Sequence, residues 1–276
     1  MDIRSTEDTS ELRKRTIDDF GNQWTRYTDN EGFYGSVDVL SDTLGPVLPL
    51  SAFEGKRVAE IGSGTGRIVR MLLEAGASHV LAIEPSLAVD VLRRNLQSDA
   101  HRVEILHIRG DEIPAALDLD FVVSIGVLHH IPDPIPVVVA ACQALRPGGR
   151  IVIWVYGKEG NRLVVRLIVA MRTITTHMPH WMLALLASIF NVALDVYVPA
   201  CRLFPFLPLA DYMRNVIGRF SRRKRHLVIY DQLKPAYAKY YTKKEVRSLL
   251  ESAGFIDVTL YHRRKYSWTA SGRRPA

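Results

Sequence analysis

The sequence predicts an α/β protein built on a mostly parallel sheet with helices on both faces. Three observations carry that reading. Short β-branched runs alternate with helical segments from residue 57 to residue 156, the pattern of strands buried on both faces. A glycine-rich turn, V-A-E-I-G-S-G-T-G over Val58–Gly66, joins the first strand to the first core helix. The alternation breaks after Gly157 and resumes with a helix at Thr242, which places an insertion between two parts of one core.

Each element follows in order. Residues 1–50 are polar and then aromatic-rich, with Phe20, Trp24 and Tyr27, and read as helices packed over the mouth of the sheet. The first strand is Arg57 to Ile61, followed by a helix from Arg67 to Ala75. The second strand, Val80 to Glu84, precedes a helix from Ser86 to Gln97. Strand three is Val103 to His107 and strand four Leu119 to Ile125. A helix from Ile135 to Leu145 is stopped by Pro147-Gly148-Gly149, and strand five runs from Arg150 to Tyr156. Residues 158–230 show no strand pattern and read as a helical insertion. Thr242 with Glu245 three residues later marks a capping box, Gly254 closes that helix, and two strands, Phe255 to Tyr261 and Lys265 to Thr269, end the core in residues 231–276. In a sheet of this kind the ligand crevice lies at the C-terminal ends of the strands.

Composition narrows the function classes. The chain has 276 residues, a net charge of +7 and a pI near 9.5, which suits anionic partners. Much of the excess lies late, in Arg222–Arg225, Arg263–Lys265 and Arg273–Arg274. Cys142 and Cys201 form no close pair and no metal-ligand spacing, so neither a structural metal nor a disulfide is expected, as in a reducing compartment. The first residues, M-D-I-R-S-T-E-D, contain no apolar signal core, and the expected location is the cytoplasm.

The glycine turn decides the ligand class. Gly62, Gly64 and Gly66 occupy alternate positions, with Ser63 and Thr65 between them and Glu60 before them. A dinucleotide fingerprint needs its third glycine three residues after the second, where this chain has Arg67. The E-x-G-x-G-x-G form resembles motif I of the class I S-adenosylmethionine-dependent methyltransferases. The resemblance implies a Rossmann-like, seven-stranded sheet with an antiparallel last strand, and S-adenosylmethionine as cofactor. It implies that the glycines pass beneath the amino-acid part of the cofactor and that Glu60 holds its ammonium. Glu84, 18 residues after Gly66 and followed by Pro85, stands where an acid accepts hydrogen bonds from ribose hydroxyls; capping of the following helix is its structural alternative. Asp111 and Glu112 follow strand three, and the resemblance assigns Asp111 to the adenine amine, against a turn-capping role. Ser124 and Gly126 end strand four beneath the cofactor, and Trp24 is the candidate cover.

The segment V-L-H-H-I-P-D-P, Val127–Pro134, and L-R-P-G-G-R before strand five are similar to the small-molecule branch of that family, which includes quinone- and sterol-type methyltransferases. The resemblance covers residues 51–157 and 240–270. Methyl transfer from a sulfonium needs alignment, exclusion of water and disposal of one proton. His130 and His129 are therefore the candidate bases, each with a loop-fixing alternative. Tyr156, Tyr230, Tyr237 and Tyr241 are candidate acceptor contacts, and Asp231 and Tyr240 lie among them.

The insertion contains Trp181 to Leu194, an uncharged run of 14 residues that falls short of the roughly 20 a spanning helix needs. It reads as a lid helix over the acceptor, as an interfacial membrane segment or as a homodimer face. Each builds an apolar wall. The expected activity is methyl transfer to a small, partly apolar molecule, with oxygen or nitrogen favoured over carbon. The alternatives are an RNA methyltransferase, against which the absence of a recognisable RNA-binding module argues, and a catalytically silent partner protein that binds the cofactor.

Overall fold

The computed structural model describes residues 6–276; residues 1–5 of the predicted N-terminal segment lie outside the described residues. In chain order the helices are α1 (Thr6–Arg26), α2 (Val37–Leu44), α3 (Arg67–Glu74), α4 (Val89–Asn95), α5 (Ile135–Ala144), α6 (Arg162–Thr175), α7 (His180–Leu203), α8 (Ala210–Asn215), α9 (Arg222–Leu233) and α10 (Lys243–Ser252). The strands are β1 (Arg57–Ile61), β2 (His79–Ile83), β3 (Val103–Leu106), β4 (Leu119–Ile125), β5 (Leu145–Tyr156), β6 (Ile256–Arg263) and β7 (Ser267–Arg273). They form one seven-stranded sheet in the order β3-β2-β1-β4-β5-β7-β6. β1 to β5 pair in parallel, and β7 runs antiparallel to both β5 and β6. This is the Rossmann-like sheet with a reversed last strand.

Both faces of the sheet are covered. Ala59, Ile61, Val122, Ile151 and Ile153 pack beneath α5 and α10. Val58, Val80, Ala82, Val123 and Val152 pack beneath α2, α3 and α4. Successive strand residues point to opposite faces, so strands buried on both sides need the unbroken apolar runs the sequence shows.

Some boundaries differ from the sequence reading, each for a local reason. The helix after β2 starts at Val89, because the Ser86 hydroxyl turns back to Glu84 and also accepts from the Ala88 amide (3.1 Å). β5 begins at Leu145 rather than Arg150: Leu119 pairs with Leu145 and Phe121 with Arg150, so Pro147-Gly148-Gly149 is an irregularity inside the strand. The last two strands extend to Arg263 and Arg273, and their turn carries Arg264 and Lys265 at positive φ.

The insertion is four helices docked on the core's strand ends. Leu183 and Ala187 of α7 pack against Tyr230 and Leu233 of α9. The Arg172 Nε of α6 donates to the Gln232 carbonyl (2.7 Å), and the Thr175 hydroxyl to the Leu233 carbonyl (2.8 Å). After it, the predicted capping box forms: Thr242 Oγ1 accepts from the Glu245 amide (3.3 Å), and Glu245 Oε2 from the Thr242 amide (2.8 Å).

The β1–α3 turn is the most constrained part of the backbone. Gly62 has φ +77°, and a Cβ there would meet Val127 Cγ2 at 2.5 Å. Strain of this kind costs about 1–3 kcal/mol. Gly62→Ala is therefore expected to lower stability by about that much in urea denaturation; an unchanged midpoint would show that the turn relaxes freely.

Candidate active site

One cavity of about 250 Å³ opens at the C-terminal ends of the parallel strands. Its floor is the glycine turn, with Glu60 before it and Glu84-Pro85-Ser86 after β2. Gly110 and Asp111 close the side beyond β3, and Gly126, Val127 and His130 the side beyond β4. Phe20 and Trp24 of α1 cover it. At the other end stand Tyr156 of β5, Asp231 and Gln232 of α9, Arg263 and Tyr266.

The turn is held by hydrogen bonds that consume its own amides. Gly62 and Ser63 donate to the Ile83 carbonyl (2.8 and 3.0 Å), and Gly66 donates to the Ser63 carbonyl (2.7 Å). Gly64 donates to Glu84 Oε2 (2.7 Å). The other Glu84 oxygen accepts from the Ser86 amide (2.9 Å) and hydroxyl (2.5 Å). Glu84 thus ties the two strand-end loops together as well as facing the cavity. Thr65 is clamped from outside: its hydroxyl donates to Asn30 Oδ1 (2.7 Å), and Asn30 and Asn95 donate to its carbonyl (3.0 and 2.8 Å). Gly64 has φ +51°, and a Cβ there would meet the Trp24 ring at 3.3 Å, so the cover rests directly on the turn.

Phosphate-cradling loops present free amides to an anion. Here those of Gly62, Ser63, Gly64 and Gly66 are already satisfied, and two carboxyl groups sit beside them. Glu60 is 1% exposed, and its Oε2 has no hydrogen-bond partner. Burial, reinforced by Glu84, pushes its pKa up to about 8. A buried carboxyl with one oxygen left unpartnered is costly, and a cation placed against it removes the cost.

The remaining predicted residues divide. Ser63, Thr65, Pro85, Gly126, Trp24, His130 and Tyr156 line the cavity. Asp111 lines it too, but Arg13 and Arg109 each donate to its carboxylate at 3.0 Å, so only part of its accepting capacity is open. Six other assignments need correction. Glu112 accepts from the Arg109 amide (2.8 Å) and points outward as the cap of its own turn. Ser124 is fully buried inside β4, paired with Ile153 of β5. Tyr230 faces α7, bonded to His180 Nδ1 (3.0 Å). Tyr241 lies in the core beneath α10, where its amide bonds the Tyr156 carbonyl (2.8 Å). Tyr237 touches the site through its carbonyl, not as a lining side chain.

His129 is the sixth correction. In the one-turn helix Leu128–His130, neighbouring side chains diverge, and His129 turns away from the cavity. It is 0% exposed, 3.9 Å from the Tyr156 ring centroid and 4.2 Å from that of His130. Burial and the neighbouring His130 hold its pKa well below the usual imidazole value. It is a packed neutral ring.

His130 is built differently. Its Nδ1 lies 2.8 Å from the Tyr237 carbonyl. A carbonyl oxygen only accepts, so Nδ1 carries the proton and Nε2 keeps its lone pair. Burial pulls the pKa down to about 3. Asp231 is the group the sequence reading left without a chemical role. Gln23 Nε2 donates to its Oδ1 (3.1 Å), and the Tyr156 hydroxyl to its Oδ2 (3.4 Å). Burial raises its pKa above the ordinary carboxylate value. Gln232 Nε2 in turn donates to the Tyr156 hydroxyl (2.5 Å). Arg263 is held at the wall by Asp42, its Nε donating at 2.8 Å.

These shifts carry opposite pH signatures. Between about 4.5 and 8 the folded state holds a Glu60 proton that the unfolded state has lost, so this group's contribution to stability falls as pH rises through that window. His130 acts in reverse, binding its proton near 6.5 when unfolded and near 3 when folded, so its contribution falls as pH drops through that range. Glu60→Gln is expected to raise the urea midpoint at the alkaline end of the Glu60 window relative to the acidic end. Equal pH dependence in the two proteins would contradict the assignment.

Residues 59–151 match the family described as "Methyltransferase domain". A ubiquinone biosynthesis O-methyltransferase of Aromatoleum aromaticum is 38% identical over 100 residues, which are 35% of this chain and 42% of that enzyme. A tRNA U34 carboxymethyltransferase of Shewanella sediminis is 34% identical over 124 residues, 43% of this chain and 37% of that enzyme. The chain thus spans less than half the length of these curated relatives. Among solved structures, the 1,6-didemethyltoxoflavin N1-methyltransferase of Burkholderia thailandensis, bound to 1,6-didemethyltoxoflavin and S-adenosylhomocysteine, aligns with a TM-score of 0.55 at 16% identity, covering 100% of this chain and 93% of that one. Residues 59–151 are similar to a methyltransferase domain, and the whole chain shares the fold of the class I S-adenosylmethionine-dependent methyltransferases, with its cavity at the C-terminal ends of the parallel strands.

Proposed function

We propose that the protein is an S-adenosylmethionine-dependent methyltransferase acting on a small, partly apolar molecule through a hydroxyl or amine. The single observation that carries this reading is the buried Glu60 carboxyl, with Oε2 unpartnered, beside a turn whose Gly62, Ser63, Gly64 and Gly66 amides are already bonded. That floor rejects a pyrophosphate and suits an ammonium. Glu60 holds the ammonium of the cofactor, Gly62, Gly64 and Gly66 let its amino-acid part lie close, and Glu84 and Asp111 have accepting capacity left for ribose and adenine. When bound, the cofactor supplies an electrophilic methyl group on a sulfonium.

The acceptor end supplies alignment and a base. A carboxylate whose pKa burial raises above the ordinary value is a stronger base for a proton from a hydroxyl or ammonium, and Asp231 is that group. The Tyr156 hydroxyl and Gln23 orient it. His130 keeps Nε2 as an acceptor but resists protonation, so its role is to orient the acceptor's donor group rather than to store a proton. Phe20, Trp24 and Phe220 exclude water and give the cavity its apolar share.

RNA is the second acceptor class, because the tRNA U34 carboxymethyltransferases are among the similar proteins. The cavity wall favours the small molecule, since Asp231 and Gln232 close its acceptor end beneath the insertion. Two experiments test the proposal. S-adenosylhomocysteine release should appear with phenolic or amine amphiphiles and stay at background with bulk tRNA; the reverse result would establish the RNA reading, and background release with both would leave a cofactor-binding protein without catalysis. Once an acceptor is found, Asp231→Asn should lower kcat about 10²–10⁴-fold with little change in cofactor affinity. Retained kcat would remove Asp231 as the base.

A further inference from the structure

The insertion carries an apolar surface that the cavity does not use. On α7 the inner stripe, with Leu183 and Ala187, is buried against α9. The outer stripe runs Trp181, Leu185, Ile189, Val192 and Val196, at spacings of three and four that place them on one helical face. These side chains are 67%, 57%, 58%, 63% and 74% exposed. On α6, Leu163 and Leu167 are also exposed. Phe206, beyond the end of α7, is 82% exposed. An apolar patch of this extent marks an interaction site rather than ordinary surface.

Its charge pattern selects the occupant. From residue 160 to residue 210 the only acid is Asp195, and Arg222 and Arg225 pair with it. Arg162 and Arg166 on α6 and Arg202 on α7 are exposed and have no acid within the segment to meet. A second copy packed through the same face would set these arginines against another surface without free acids. An anionic bilayer supplies both an apolar layer and the missing negative charge. Mean hydropathy over α7 reaches 1.8, yet its packed inner stripe fixes it to the domain, so it lies along a membrane rather than through one. Trp181 stands at the start of the stripe, and tryptophan favours the bilayer interface.

We propose that α6 and α7 form a docking face for anionic phospholipid bilayers. α9 links this face to the cavity: Tyr230 and Leu233 are buried on the insertion side, while Asp231 and Gln232 line the acceptor end. The docked protein therefore holds that end one helix layer from the lipid. The proposal stands whether or not the methyl-transfer reading holds.

The test is co-sedimentation of the full chain with phosphatidylcholine vesicles, with and without about one third phosphatidylglycerol. Binding should require the anionic lipid, weaken with salt and shift tryptophan emission to the blue, with the shift absent in Trp181→Phe. The pair Leu185→Glu and Ile189→Glu, at exposed positions, should lower partitioning at least about tenfold with an unchanged circular dichroism spectrum. Arg162→Glu with Arg166→Glu should lower it about tenfold or more. No partitioning into either vesicle, or partitioning that these variants leave unchanged, would overturn the proposal. So would a concentration-dependent dimer that Leu185→Glu and Ile189→Glu dissolve.

Discussion

The structure depends on how two carboxyl groups are treated at the ends of neighbouring strands. Glu84 is well partnered, joining Gly64 to Ser86 and so fixing the turn after β1 against the loop after β2. Glu60, one strand away, is buried with an oxygen unpartnered, and Glu84 beside it raises its pKa further. The first group builds the floor; the second gives the floor its preference for a cation. An uncharged Glu60 is tolerable in the free protein because its raised pKa keeps it protonated near neutrality, and a bound ammonium reverses that balance.

The opposite end of the cavity follows the same logic with different groups. Asp231 is raised by burial but has Gln23 and Tyr156 as partners, whereas His130 is pushed down and held in one tautomer by the Tyr237 carbonyl. The two groups separate in function because their environments shift both toward the neutral form, a carboxyl upward and an imidazole downward. A neutral imidazole directs hydrogen bonds. A carboxyl whose pKa burial raises takes up a proton more readily. α9 is what brings Asp231 to this place, and α9 is itself held by α6 and α7. The insertion is therefore part of the site and not an ornament on the fold.

Much of this was legible in the sequence, and the limits are physical. Strand four and the glycine turn were readable because continuous β-branched runs and alternate glycines reflect local geometry. The floor of the cavity followed, since Glu60, Gly64 and Glu84 lie on adjacent strand ends whose order the fold dictates. Ser124 and His129 were misplaced because the direction of a side chain at a strand end or in a single helical turn depends on one or two dihedral angles that no spacing records. Tyr230 and Tyr241 were grouped with Tyr156 by proximity in sequence, yet α9 and the bridge at Gly157 send them to separate cores. Asp231 gained a chemical role only through its long-range bonds to Gln23 and Tyr156. The clamp of Asn30 on Thr65 is equally non-local.

The most direct test of the central claim, that Glu60 makes the floor a cation site, is calorimetric titration with S-adenosylhomocysteine near neutral pH in buffers of different ionisation enthalpy, with NAD as control. The account predicts micromolar binding of S-adenosylhomocysteine but not NAD, with release of close to one proton as the ligand's ammonium forces Glu60 to ionise. Binding without proton release, or binding of NAD at comparable affinity, would contradict it.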